Sequence, residues 1–404
     1  MEKRSSQQVY KTIMLIIITA LITALVTTIV VYNFFIKSGK VAIKSENSST
    51  LSGLEATLAS FRSVLEEKYM GEIDDDALIE GAIKGYIGAL GDPYTTYYTK
   101  DEMDDLMEET TGNYVGIGIY MTLDTTNNAI YVVKPMEGSP AEEAGIKSGD
   151  LITKVDGVEY SGEELDQAAN AIKGKEGEKV KLEVLRDGET IELEVERRKI
   201  VISHIVDKKF DNIGYLLLED FDGGVADEFE EKYKELEKQG IDRLIIDLRN
   251  NGGGVVDEAI DIADMLLDKG NTILITKDKN GNEEITKSEH DAAITIPVVV
   301  LTNEYSASAS EILVGALQDN ERATIVGTRT YGKGVIQEVD RLNDGSGLKI
   351  TIEEYYTPNR NEINKVGIEP NEKVELSNEV VEKGTYTDEE DNQLQKSIEV
   401  IKGK

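Results

Sequence analysis

Three short segments carry residue types that could do chemistry. The first is Asn303-Glu-Tyr-Ser-Ala-Ser-Ala-Ser-Glu-Ile-Leu-Val-Gly-Ala-Leu-Gln-Asp319, where small residues crowd the junction between an apolar strand and a helix. A serine there can project into a cleft, and the free N–H groups at the positive end of the helix can stabilise an oxyanion. Ser308-Ala-Ser-Glu311 also fits a capping box, whose work would end at satisfying backbone donors. Residue types do not choose among Ser306, Ser308 and Ser310. The second segment is Gly327-Thr-Arg-Thr-Tyr-Gly-Lys-Gly334, with Gln337 four residues beyond Lys333. A lysine between glycines is a solvated turn residue when taken alone. Beside a serine, a lysine whose pKa is depressed by burial can take the hydroxyl proton. The spacing mimics a phosphate-binding loop, but Gly334 replaces the magnesium-binding hydroxyl and Val335-Ile-Gln-Glu-Val339 reads as a strand. The third segment, Asp247-Leu-Arg-Asn-Asn-Gly-Gly-Gly254, runs from a strand into a glycine-rich turn that either presents donors to an anion or serves as a tight connection.

These segments need a scaffold, and the 404 residues suffice for two or three domains. With 40% hydrophobic and 30% charged residues the bulk of the chain is globular. A formal net charge of -34 would repel a phosphate backbone, so nucleic acid is not an expected partner. The same charge would raise a lysine pKa, so local desolvation must dominate if Lys333 is to act as a base. The lack of cysteine excludes a thiol nucleophile, Cys-ligated zinc and disulfides. The only histidines, His204 and His290, lie outside the glycine- and serine-rich segments and read as structural.

Lys3, Arg4 and Lys11 precede an uncharged apolar stretch over 12–36, long enough to cross a hydrocarbon core as a helix. The basic head, 1–11, is expected in the cytoplasm and everything beyond Lys37 outside, on a flexible tether over 37–53. A cleaved secretory signal is the alternative, but the far end of the run lacks a small-x-small site. Helical spacing marks 54–111, interrupted at Gly91-Asp-Pro-Tyr94. Short alternating strands mark a β-rich domain over 112–199. Strands 214–218, 244–248 and 296–301 alternate with helices at 225–238, 255–268 and 308–319, an α/β pattern assigned to 200–380. The tail, 381–404, is acidic and then helical, and reads as a solvated terminal helix.

Gly116-Ile-Gly-Ile119, Ser139-Pro-Ala-Glu-Glu-Ala-Gly-Ile-Lys-Ser-Gly-Asp150 and Val155-Asp-Gly157 together resemble a PDZ domain. PDZ domains add a peptide to a sheet edge and hold its terminal carboxylate on backbone N–H groups. The resemblance implies that Gly116, Ile117, Gly118 and Ile119 form that loop.

In order, the apolar leader, Asp92-Pro-Tyr94, the PDZ-like domain and the three segments above resemble the carboxyl-terminal processing peptidases, or tail-specific proteases. The resemblance covers nearly everything after residue 54. It implies that Ser308 is the nucleophile, Lys333 the general base and Gln337 the residue that orients the lysine amine. It also implies an oxyanion hole from the N–H groups of Ala309 and Gly254. The expected protein is a multidomain α/β and β chain: a transmembrane helix, a helical segment, a PDZ domain and an α/β serine peptidase core. It would cut protein substrates with unstructured C-termini through an acyl-enzyme, without metal or organic cofactor. The PDZ domain would recognise the substrate terminus and gate the site, and helical segments at both ends suggest homo-oligomerisation. The alternative is a membrane-tethered PDZ adaptor with a catalytically dead α/β scaffold.

Overall fold

The computed structural model describes residues 51–111, 114–200, 202–384 and 386–403. The anchor expected over 12–36 lies outside the described residues, and no helix among them is long and apolar enough to cross a membrane. The chain divides into two compact units, one ending at Ala82 and one spanning Ile83–Lys404. In the first, a helix over Leu51–Lys68 starts inside the stretch expected to be tether, and Arg62 pairs with Asp75 at the start of the next helix, Asp75–Gly88. Leu54, Leu58 and Phe61 follow the helical spacing yet stay 41%, 43% and 49% exposed.

The second unit is built on a six-stranded sheet in the order 205–210, 213–218, 243–247, 298–302, 323–327 and 372–373. The first pair is antiparallel and the rest are parallel. Strands buried on both faces carry apolar side chains at every position, and alternate residues serve opposite layers. Leu244, Ile246, Val298 and Val300 pack with helices Val225–Lys238, Val256–Leu266 and Ala309–Asp319. Ile245, Val299 and Leu301 face the other way, onto Leu394 and Ile401 of the last helix, Asn392–Lys402. That helix is therefore not the solvated tail expected from its composition, because its apolar stripe closes the second face of the sheet.

A second sheet, in the order 96–98, 347–356, 272–278 and 283–287, carries 335–341 as a further partner of 347–356. The strand Thr96–Tyr98 belongs to the stretch read as helical; it follows the Asp92-Pro-Tyr94 turn and pairs with Gly347–Lys349. The six-stranded antiparallel sheet between Ile119 and Glu196, with helix Leu165–Ile172, encloses its own core of Ile117, Ile130, Val132, Ile152, Val180 and Leu182. Its entry strand, Tyr114–Gly116, pairs antiparallel with its exit strand, Arg198–Ile200.

Candidate active site

Strand Val298–Thr302 ends at the carboxyl edge of the parallel sheet, where open α/β sheets place their ligands. Residues 303–308 turn the chain into helix Ala309–Asp319, and Ser308, at the turn's apex, has φ 58 and ψ -117. A non-glycine residue with positive φ is strained, and a serine on such a strand-to-helix elbow presents its hydroxyl at the top of the sheet. Small neighbours make this possible: a Cβ on Gly253, itself at φ +96, would fall 2.7 Å from the Cβ of Ser308.

The structure separates the three serines that residue types left equivalent. Ser306 Oγ donates to the carbonyl of Leu248 at 2.7 Å, and Ser310 Oγ to that of Asn251 at 3.0 Å. Both are fully buried and stitch the serine turn to the Asp247–Gly254 segment. Ser308 Oγ donates to no acceptor among the described residues, and the residue as a whole is 7% exposed.

Lys333 lies on the crossing from strand Ala323–Gly327 of the first sheet to Val335–Arg341 of the second sheet. The glycine loop leads into a strand and not a helix, which removes the phosphate-loop reading. Burial pushes the Lys333 amine below the ordinary lysine range, and Lys349 adds repulsion; Glu311 and Asp92 pull it back up. Desolvation thus outweighs the acidic surroundings, as a base at this position requires. The ammonium lies over the ring of Tyr94, 4.9 Å from its centroid. Among the described residues no hydrogen bond joins Lys333 Nζ to Ser308 or to Gln337. Gln337 sits at a bulge in the next strand and donates instead to Thr351 Oγ1 at 3.3 Å, so the orienting contact implied by the resemblance is not made in this conformation.

Two residues with no catalytic signal in the sequence join the serine and lysine segments. Glu311 does form the capping box, with Ser308 N–H donating to Oε2 at 3.0 Å. The same carboxylate also accepts from the N–H of Lys333 at 2.8 Å, the N–H of Gly332 at 2.7 Å and the hydroxyl of Thr330 at 2.6 Å. Glu311 is fully buried, and burial lifts its pKa above the usual carboxylate range against the pull of these donors. Tyr355, also buried, shares its hydroxyl proton between the carbonyls of Ser308 (3.0 Å) and Lys333 (2.6 Å). The Ser-x-x-Glu spacing could have flagged Glu311, but only as a cap; Tyr355 carries no signal at all.

The glycine turn supplies the other wall. Gly253 N–H is spent on Asn251 Oδ1 at 2.8 Å, while the N–H groups of Gly254 and Ala309 have no acceptor among the described residues. Asn251 further donates to the carbonyl of Leu218 and accepts from Ala307 N–H, fixing the turn against the serine loop. Beneath it, Arg249 is clamped between Asp247 and Asp391, the cap of the last helix. The arrangement offers a hydroxyl, a partly desolvated amine and two free N–H donors, the components of acyl transfer.

In the small β domain, Gly116, Ile117, Gly118 and Ile119 are all buried, and position 118 requires glycine both for its φ of +73 and because a Cβ there would lie 2.6 Å from that of Ser139. The carbonyls of Ile117 and Gly118 accept from Ala141 and Met136, while their own N–H groups have no acceptor among the described residues. Strand Ile119–Asp124 beside them is a sheet edge. The histidines are engaged elsewhere: His204 Nδ1 meets Asp220 at 2.9 Å, and His290 Nδ1 meets Asp264 at 2.6 Å. His204, Asp220 and Asp222 lie close enough together to hold a cation, and the His204–Asp220 bond already accounts for two of them.

Residues 212–374 match peptidase family S41, residues 131–186 a PDZ domain, and residues 31–102 the N-terminal domain of the activating protease CtpB. The carboxy-terminal processing protease CtpA of Bacillus subtilis is 37% identical over 314 residues, 77% of this chain and 67% of that protein. The carboxyl-terminal-processing protease of Synechocystis is 37% identical over 329 residues, 80% of this chain and 76% of its own. Among solved structures, the photosystem II D1 C-terminal processing protease is 31% identical, covering 78% of this chain and 86% of that one, with a TM-score of 0.46. Fold and relatives together define a serine-type peptidase that carries a PDZ domain. The chain belongs to the carboxyl-terminal processing proteases of family S41.

Proposed function

We propose that this chain is a membrane-anchored endopeptidase that cleaves protein substrates near their C-termini, with Ser308 as nucleophile and Lys333 as general base. The observation that carries this is the strained elbow of Ser308, its hydroxyl proton uncommitted, tied through Glu311 and Tyr355 to a lysine whose amine burial drives toward neutrality. Lys333 takes the Ser308 proton as Oγ attacks the scissile carbonyl, gives it to the leaving amine, and then activates the water that resolves the acyl-enzyme. Ala309 and Gly254 N–H groups receive the oxyanion. Gln337 orients the amine once its amide leaves Thr351.

The PDZ domain captures the substrate's terminal carboxylate on the 116–119 loop, adds the tail to the edge strand Ile119–Asp124, and gates the site. The apolar run over 12–36 holds the peptidase at the outer face of the cell membrane. The deciding experiment uses the full chain in detergent micelles on an unstructured protein, comparing wild type with Ser308→Ala and Lys333→Ala. Both variants should stay folded and lose cleavage by about 10³-fold or more. Cleavage at the wild-type rate in either would overturn the assignment, and a silent wild type that still binds C-terminal peptides would favour the adaptor.

A further inference from the structure

We propose that Tyr94 is a positioning residue for the general base: its ring face stands against the Lys333 amine and favours the form that carries the proton during serine attack. The inference rests on the Ser308/Lys333 reading above. Nothing else among the described residues takes Lys333 Nζ: no carboxylate, amide or carbonyl bonds it, and Gln337 is turned to Thr351. The ring at 4.9 Å is what stands over the amine, and a ring face attracts an ammonium while offering little to a neutral amine.

The ring is held with more care than a surface tyrosine needs. Asp92 Oδ1 accepts from Tyr94 N–H at 3.1 Å, and Asp92 Oδ2 accepts from the Thr95 hydroxyl at 2.6 Å, an Asx turn closed on itself. Thr95 Oγ1 in turn accepts from the N–H of Thr351 at 3.1 Å, which docks the turn on strand Gly347–Tyr356. Thr351 is also the residue that takes the Gln337 amide. A continuous path therefore runs from Gln337 through Thr351, Thr95 and Asp92 to the ring under the lysine. The whole Asp92–Thr95 turn becomes part of the active site, although it lies more than 200 residues upstream of Ser308 in the sequence.

During acylation the Ser308 proton moves to Lys333 Nζ and leaves with the departing amine, so the ring exchanges nothing and only stabilises the transient ammonium. The other charged and titratable groups acting on that amine are Lys349 from the Gly347–Tyr356 strand, Glu311 from the serine helix and Asp92 from the turn. Tyr355 touches the lysine only at its backbone carbonyl, and Tyr331 neighbours Tyr94.

The test compares Tyr94→Phe and Tyr94→Leu in the full chain, in two readouts. In a Ser308→Ala background, competitive acylation of Lys333 with acetic anhydride across pH, read by peptide mass spectrometry, gives the amine's pKa without turnover. Tyr94→Leu should lower it by about half to one pH unit and Tyr94→Phe should hold it within about 0.2. The acidic limb of kcat/KM should move the same way in the Ser308 enzyme. If Tyr94→Leu fails to fold, a fluorinated phenylalanine in place of Tyr94 keeps the shape while weakening the ring's negative face, and should give a shift of the same sign. An unchanged or raised Lys333 pKa on Tyr94→Leu or the fluorinated ring overturns the proposal. That result differs from failure of the Ser/Lys reading, in which Lys333→Ala would cut as wild type does.

Discussion

Ser308 and Lys333 are each held where an isolated residue would not stay. Ser308 keeps a positive φ, and Lys333 keeps an amine in surroundings that disfavour its charge. A lowered lysine pKa means that the folded chain binds fewer protons than the unfolded chain between the shifted value and 10.5. Stability supplied by this site therefore rises with pH through that window, and below it the buried lysine is a cost. Lys333→Met should abolish cleavage, raise stability at neutral pH and flatten the alkaline rise in urea unfolding midpoints. Glu311 acts with the same sign at neutrality: its raised pKa means ionisation opposes folding above the ordinary carboxylate range, yet four donors depend on the anion. Glu311→Gln turns one acceptor oxygen into a donor against buried N–H groups and should destabilise by about 2–3 kcal/mol. Cleavage should fall with it, because the serine and lysine backbones lose their shared acceptor; unchanged unfolding and activity would refute that role.

At the scale of elements, the last helix matters more than its composition suggested. Leu394 and Ile401 are buried against the sheet, each worth about 1.5–3 kcal/mol. Asp391 caps the helix through Gln393 and Leu394 N–H and pairs with Arg249, directly ahead of the glycine turn's first asparagine. Asp391→Asn keeps a capping oxygen while removing the charge and setting an amide donor against Arg249, and should cost about 1–3 kcal/mol by chemical denaturation. Removal of residues 392–402 should leave the protein unable to unfold cooperatively. The helices at 225–238, 256–266 and 309–319 were legible from their 3.6-residue period, and the central strands as short continuous apolar runs, the pattern of strands buried on both faces. The terminal helix was legible as a helix but not as part of the core, since it packs on the sheet's second face and pairs with Arg249, 142 residues away in the chain. Tyr94 and Tyr355 were illegible as site residues for the same reason: only the pairing of strands 335–341, 347–356 and 96–98 brings them beside Lys333.

For the whole molecule, the PDZ domain and the peptidase sheet share one compact unit. Lys173, just past the PDZ helix, reaches Glu108 at 2.5 Å and Asp105 at 3.5 Å on helix Lys100–Thr111, and stands over the Tyr114 ring. These charges raise the Lys173 pKa despite its burial. Lys173→Ala should loosen this join, visible as faster hydrogen exchange across 100–116 and, if the domain gates the site, as altered basal cleavage. A substrate peptide with an amidated C-terminus should be cut several-fold more slowly than its free acid, and equal rates would remove terminal capture from the mechanism.

The pairing of Tyr114–Gly116 with Arg198–Ile200 has one more consequence. Chain enters and leaves the PDZ domain through neighbouring strands whose backbones lie about 5 Å apart, so a short reverse turn could join them with the intervening residues absent. The domain is thus a cassette plugged into the peptidase through a two-stranded socket. Exchange of one such cassette for another would give the same cutting machinery a new choice of tails, and the two halves are free to diverge in evolution at separate rates.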